Sequence, residues 1–506
     1  MEQGNDVYEN QELPVVASDV DCILLTHAHI DHSGLIPLMY VNGFRGQVYS
    51  TSATAQLCEI MLRDSAHIQM FEAEWRNRKA ARSGGKLKEF VPLYDMDAAV
   101  NVCKQFVGCE YDKIYNIADG IKIRFTDVGH LLGSASIEVW ATEKTENGDV
   151  TEKIVFSGDI GNINKPIIKD PKHVTDADYV VMESTYGNRS HGGTPNYVED
   201  LTNIFKRTFE RGGNVVIPSF AVGRTQELLY IIRKIKEDNL VGRDFDVYMD
   251  SPLAIEATNI FIKNVESCFD DEAVELVRKG INPLSFPGLK YATTGDESKQ
   301  INFDPNPKVI ISSSGMCEAG RIRHHLKHNL WRPECTIVFV GYQAVGTTGR
   351  IIVDGAEEIK LFGEPIQIKA EIVQLKGSSG HADKDGLLCW INAFDTKPKK
   401  VFVVHGEDSV CDEFTECLKE EYGYDAMAPY TGGSYDLIAD RVISEGVKER
   451  KTRRTTSTQR GKTVFDRLVA AGKRLMTVIT HNEGGTNKDL AKFTDQINAL
   501  CDKWDR

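Results

Sequence analysis

The sequence predicts an α/β protein of layered sheets and helices, and three observations carry that prediction. Short apolar runs suited to buried strands alternate with helical stretches through most of the 506 residues. The residues capable of chemistry fall just past the C-terminal ends of those runs, where layered α/β folds assemble their sites. From about Thr194 to Gly341 a strand, a small-residue loop and a helix recur regularly, which marks an inserted α/β domain.

The first apolar run, CILLT (Cys22–Thr26), has almost no polar interruption and reads as a strand covered on both faces. The loop THAHIDHSG follows. SGLIPLMYVNGF then reads as a helix, with Ser33 near its cap and Pro37 in its first turn. A long helical segment follows Thr51. GIKIRFTDVGH alternates with period two and ends at His130. KIVFSGDIG ends near Asp159 and YVVMESTYG near Glu183. In the inserted region a helix over Tyr197–Arg211 leads to the strand NVVIPSF and a helix opening at AVGRTQELL. KVIISSSGMCEAGRIRHHL repeats that unit. Strand signals return with IQIKAEIVQL and KKVFVVHGE. The expected domains are 1–193, an inserted 194–341, a return to the first domain over 342–440, and an extension over 441–506.

That extension begins with the basic KERKTRR (Lys448–Arg454) and a polar TTSTQ stretch, read as a linker. Two helical segments follow. The last carries Leu490, Phe493, Ile497, Leu500 and Trp504 on one face. The seam suits packing on the body or, alternatively, pairing of two copies as a homodimer.

Bulk composition narrows the function. Hydrophobic residues make up 41% and charged residues 26%, as in a globular protein, and the net charge is −14. Any polyanion must therefore meet a local basic patch rather than a basic body. The eleven cysteines form no CxxC pair, which points to reduced thiols in a cytoplasm. No apolar run approaches the roughly 18–20 residues of a membrane span. The first ten residues, MEQGNDVYEN, are polar and acidic, unlike a signal peptide.

Seven side chains stand out as metal ligands: His27, His29, Asp31, His32, His130, Asp159 and His405. Imidazole nitrogens and carboxylate oxygens bind zinc at about 2.0–2.2 Å, three or four to an ion. Seven candidates are too many for one ion and fit two that share a carboxylate. Alternate residues of an extended HxHxDH loop bring His27 and His29 to one ion and leave Asp31 and His32 beside a second. Paired zinc ions about 3.5–4 Å apart clamp a bridging hydroxide, a nucleophile available at neutral pH.

These motifs resemble those of the metallo-β-lactamase-fold hydrolases, specifically the β-CASP RNA-processing nucleases of the cleavage-and-polyadenylation endonuclease-like kind seen in bacteria and archaea. HAHIDH matches the HxHxDH signature, VGHLLGSAS supplies His130 and SGDIG supplies Asp159. ESTYG, GSSGHAD and VVHGE resemble motifs A, B and C, carried by Glu183, His381 and His405. The resemblance extends to about Leu437. It implies an αββα sandwich interrupted by a β-CASP domain that caps the active site. It implies that His27, His29 and His130 hold one zinc, that Asp31, His32 and His405 hold another, and that Asp159 bridges them. Asp31, Asp159, Glu183 and His381 then count as the catalytic residues, with His381 at the scissile phosphate and Glu183 orienting it.

A histidine in motif C resembles the RNA-cleaving members, so single-stranded RNA is the expected substrate and no membrane is involved. Arg224, at the start of a helix, and Ser313, Ser314 and Gly315, before another, suit phosphate contacts. Three rival readings are a DNA-directed nuclease of the same fold, a small-molecule thioester or lactam hydrolase, and a metal-stabilised RNA-binding subunit. His324, His325 and His328 read as a polar helix face, and His67, His173, His191 and His481 as ordinary. Relatives carry about two more strands before the segment that opens here, so the chain is expected to be short by roughly thirty N-terminal residues.

Overall fold

The computed structural model describes residues 13–82, 90–146, 148–192, 196–375, 379–447, 464–484 and 486–504. MEQGNDVYEN, KERKTRR and TTSTQ lie outside them.

Strands β1 (Cys22–Leu24), β2 (Gln47–Thr51) and β3 (Phe106–Cys109) form a small parallel sheet. Strands β4 (Tyr115–Ala118), β5 (Ile121–Asp127), β6 (Ala135–Thr145) and β7 (Gly148–Phe156) form an antiparallel meander, and β8 (Tyr179–Glu183) joins it in parallel. The two sheets share one apolar interior. Leu24 and Tyr49 from the first pack with Phe125, Ile137 and Val139 from the second. The helix Ser52–Arg82, capped by no Gly or Pro along its 31 residues, covers the outside of the small sheet together with Met96–Cys103.

The chain then leaves for the inserted domain. β9 (Val215–Pro218), β10 (Asp246–Asp250), β11 (Leu289–Tyr291), β12 (Lys308–Ser312) and β13 (Thr336–Val340) lie in one sheet. A hairpin of β14 (Glu358–Leu361) and β15 (Glu364–Gln367) precedes β16 (Glu371–Leu375), which closes the sheet in the order β11-β10-β12-β9-β13-β16. All its pairings are parallel, and β9, β12 and β13 are buried at every position, which explains the apolar run at their centres, with polar residues only at strand ends. The inserted sheet thus extends past the residue-341 boundary expected from the sequence. EIVQL reads as a strand, but nothing local says that Thr336 will pair with Glu371 rather than the segment rejoining the first domain.

The chain returns as β17 (Lys400–Val404) and β18 (Ala426–Met427), which extend the first domain's large sheet beyond β8. The helices Lys384–Ile391 and Asp408–Glu420 cover its outer face through Trp390, Phe414 and Leu418. Helix, sheet, sheet, helix is the αββα order, with the second α/β domain inserted. In the C-terminal extension, helix Val464–His481 contacts Ala17–Asp19, where Thr477 meets Ser18 at 3.4 Å. Along helix Asn487–Trp504 the seam is half-buried at Leu490, Phe493 and Ile497 and exposed at Leu500 and Trp504. No described helix is long and apolar enough to cross a membrane.

Candidate metal centre

The ligand loop is more helical than its sequence suggests. A short helix starts at Ile30, within the motif, and Pro37 opens a separate helix, Ile36–Val41. Ser33 is therefore not an N-cap. Its hydroxyl donates to the carbonyls of Ala28 and His29 and ties the turn to the extended residues before it. His27 and His29 lie on extended chain, whereas Asp31 and His32 lie on the helical turn, so the two pairs face different points.

Close backbone approach brings the other ligands in. At Gly158, φ is +60° and a Cβ would stand 2.9 Å from Thr26, so only glycine lets Asp159 draw up beside His27. At Gly161 a Cβ would strike the carbonyl of Gly129 at 1.9 Å, which is where the Asp159 and His130 loops touch. β17 pairs with β8 so that Val404 stands opposite Glu183, which sets His405 next to Ser184. His405 adopts φ of +50°, a strained value for a side-chain-bearing residue, and its carbonyl accepts from Ser184 N.

All seven predicted ligands converge in two groups, His27–His29–His130–Asp159 and Asp31–His32–His405. Within the first, His29 Nδ1 lies 3.1 Å from both His27 Nε2 and His130 Nε2, and Asp159 Oδ2 lies 3.4 and 3.6 Å from those two nitrogens. In the second, His32 Nε2 is 3.2 Å from His405 Nε2, which is 3.6 Å from Asp31 Oδ2. Asp159 Oδ1 reaches across to His32 at 3.3 Å. Two ligands at about 2.0–2.1 Å from one zinc in a tetrahedral arrangement stand about 3.3–3.4 Å apart, so the spacing fits cation sites. A further observation agrees: Asp159 Oδ1 is buried and, among the described residues, has no hydrogen-bond partner. An orphaned carboxylate oxygen is costly unless a cation satisfies it.

Burial holds the first group's imidazoles neutral: it pulls His29 down to about 3 and lowers His27 and His130, outweighing the pull of Asp159. Asp159 is driven well below the usual carboxylate range, because its histidines overcome the burial penalty. In the second group burial likewise opposes charge, but Asp31 and Asp159 raise His405 to about 9, and Asp31 is lowered in turn.

His381 sits beside this centre, its ring 4.5 Å from that of His130. The Ala382 amide donates to Ile160 O and the Asn162 amide to Gly380 O, which clamps its loop against the Asp159 loop. Its Nδ1 lies 3.1 and 3.2 Å from the Glu183 oxygens, and Glu183 also accepts from the amides of Ile160 and Thr185. Burial disfavours the imidazolium, but Glu183 outweighs it and the pKa is raised.

The phosphate candidates are mixed. Arg224 is mostly buried and paired with Glu227 at 2.5 Å, so its charge is engaged inside the protein rather than presented to a phosphate. Ser313, Ser314 and Gly315 sit at the end of β12, where the Ser314 hydroxyl closes its loop on Ala319 O. The trio His324, His325 and His328 is not one polar face. His325 is fully buried between Asp250 and Asn302, while His324 stacks on Phe362. Lys165 and Tyr186, near the centre, were not singled out from the sequence, and His191 was read there as ordinary. Lys165 bonds the His130 carbonyl and Glu227, which joins the two domains. His191 Nε2 lies 3.2 Å from His381 O, and Tyr186 packs on His191. Tyr186 follows Glu183 at a strand end and could have been suspected; Lys165 carries no such signal.

Comparison with known proteins agrees with this geometry. Residues 225–352 match the Beta-Casp domain and residues 365–429 the Zn-dependent metallo-hydrolase RNA specificity domain. The chain is 35% identical over 390 residues to Ribonuclease TTHA0252 of Thermus thermophilus, covering 77% of this chain and 82% of that protein. It is 31% identical over 401 residues to an RNase J-like protein of Methanocaldococcus jannaschii, covering 78% and 84%. It is also 31% identical over 420 residues to the transcription termination factor FttA of Methanosarcina mazei, covering 81% of this chain but 62% of that longer protein.

Proposed function

The chain belongs to the β-CASP family of metallo-β-lactamase-fold RNA nucleases, and on that premise we propose that it hydrolyses single-stranded RNA at a centre of two zinc ions. The observation that carries the two-ion reading is Asp159, a buried carboxylate with one oxygen toward each ligand group. His27, His29 and His130 would hold one cation, Asp31, His32 and His405 the other, and Asp159 would serve both. Bound there, such cations acidify water to a nucleophile at neutral pH and neutralise charge growing on the phosphoryl oxygens.

The protein's own residues do the rest. The low pKa values of the buried imidazoles leave their lone pairs free of protons. Glu183 fixes His381 through Nδ1, so Nε2 is the ring nitrogen left to face substrate. The raised pKa keeps a proton on that ring, and His381 delivers it to the leaving oxygen as a general acid. Glu183 is itself held by two backbone amides, which makes it a positioning residue rather than a ligand.

End-labelled RNA and DNA of matched sequence test this reading. Wild type is expected to give short RNA products ending in 3′-hydroxyls, and His381→Ala to lose about 10²–10⁴-fold in rate while keeping its bound zinc. Equal rates would remove His381 from the mechanism, and a clear preference for DNA would overturn the substrate.

A further inference from the structure

Three neighbouring strands of the inserted sheet, β12, β9 and β13, end on loops that touch. The Ser219 amide donates to Ser312 O at 3.0 Å, and Gln343 Nε2 donates to Gly315 O at 3.1 Å. The Phe220 ring lies so close over Gly315 that a Cβ there would stand 3.0 Å from it. Each flanking loop also presents an aromatic side chain to solvent: Phe220 is 48% exposed and Tyr342 is 49% exposed. Scattered exposed hydrophobics need no explanation. Two aromatics on adjoining loops, at the carboxyl end of a parallel sheet where such folds bind ligands, are a different matter.

The β9 loop also reaches the edge of the metal centre. A Cβ on Gly223 would stand 3.1 Å from the Leu131 side chain, next to His130. From there Arg224, Glu227 and Lys165 run as an ion-paired chain to the His130 carbonyl. A strand threading from the centre along this edge would carry its bases past Phe220 and the adjoining loop that bears Tyr342. The chain is also acidic overall, at −14, so long-range attraction of a polyanion is weak and contacts that ignore charge gain weight.

We propose that Phe220 and Tyr342 form a nucleobase-stacking subsite that grips unpaired bases of RNA next to the scissile phosphodiester. The proposal rests on the RNA-nuclease reading above. Aromatic faces accept any base, so the subsite sets affinity and register along the strand without reading sequence.

The test is cleavage of a short end-labelled RNA by the zinc-loaded full chain, with a single abasic nucleotide moved stepwise through the strand. At one or two positions near the cut, the abasic nucleotide is expected to raise KM by about 5- to 150-fold for wild type. Phe220→Leu and Tyr342→Leu, on exposed positions that keep an apolar side chain, are expected to raise KM on intact RNA by a similar factor. The loss falls on KM rather than kcat, and the variants no longer distinguish intact from abasic strands. Phe220→Tyr and Tyr342→Phe restore wild-type KM. Normal cleavage with no abasic-sensitive position overturns the subsite alone, as does an abasic penalty that persists undiminished in both leucine variants. A dimer lost in the leucine variants with KM unchanged assigns the surface to a second copy and overturns it too. If wild type cleaves no intact RNA, the nuclease reading falls and takes the subsite with it.

Discussion

Asp159 in the first domain and Asp250 in the inserted domain are both buried aspartates touched by buried histidine, yet they do opposite things. Both carboxylate oxygens of Asp250 and both ring nitrogens of His325 are answered. The carboxylate accepts from Arg321, Ser298 and His325, and the other His325 nitrogen faces Asn302. Around Asp159, imidazole nitrogens crowd one another at 3.1–3.2 Å, and one carboxylate oxygen has no hydrogen-bond partner among the described residues. The first arrangement is complete without a guest and braces the loop bearing Ser313 and Gly315. The second keeps unmet capacity of the kind a cation satisfies. Buried His–Asp clusters are thus told apart by their unmet hydrogen-bonding capacity, not by residue type.

That contrast can be broken by experiment. The largest effect is expected from Asp159→Ala: hydrolysis falls to background and bound zinc to less than one ion per chain, measured by turnover and elemental analysis. The metal-free variant should nonetheless unfold at a temperature close to that of metal-free wild type. A variant keeping both ions would sink the shared-carboxylate reading. Asp250→Ala should behave in reverse, destabilising the metal-free fold by about 3–5 kcal/mol in urea titration while its folded fraction still takes up zinc. A fully stable Asp250→Ala would mean the brace is idle.

Zinc at about 100 times its dissociation constant should raise wild-type stability by about 2.7 kcal/mol per site and leave Asp159→Ala nearly unmoved, as read by calorimetry. The smallest effect concerns acid. Burial opposes ionisation of Asp250, but His325, Ser298 and Arg321 outweigh it and its folded pKa is lowered. Its contribution to stability is therefore present above the unfolded value of about 3.9 and is lost as pH falls through the lower folded value. Metal-free Asp250→Asn should show a shallower loss of stability between about pH 5 and 3 than wild type.

Much of this centre was legible in the chain itself. HAHIDH announces ligands by spacing, and His130, Asp159, Glu183 and His405 each follow an apolar run that became a strand: β5, β7, β8 and β17. Other features were not. His324, His325 and His328 share one helix, and the sequence does not say that His325 alone turns inward to Asp250. Arg224 opens a helix as expected and its pairing with Glu227 is local, but Lys165, which shares that carboxylate, comes from a loop some sixty residues upstream. The strand signal in EIVQL was audible, while its partner was not.

By itself, then, the sequence determined which residues can bind cations, where strands and helices form, and that an α/β unit interrupts another. These are local matters, set by side-chain chemistry and by hydrophobic period over a few neighbouring positions. Only the tertiary structure decided which sheet claims Glu371–Leu375, which histidine is satisfied and which is left wanting, and that Phe220 and Tyr342 end on adjoining loops. Those outcomes follow from strand pairings and hydrogen bonds between residues tens to hundreds of positions apart, whose partners no short window of sequence contains.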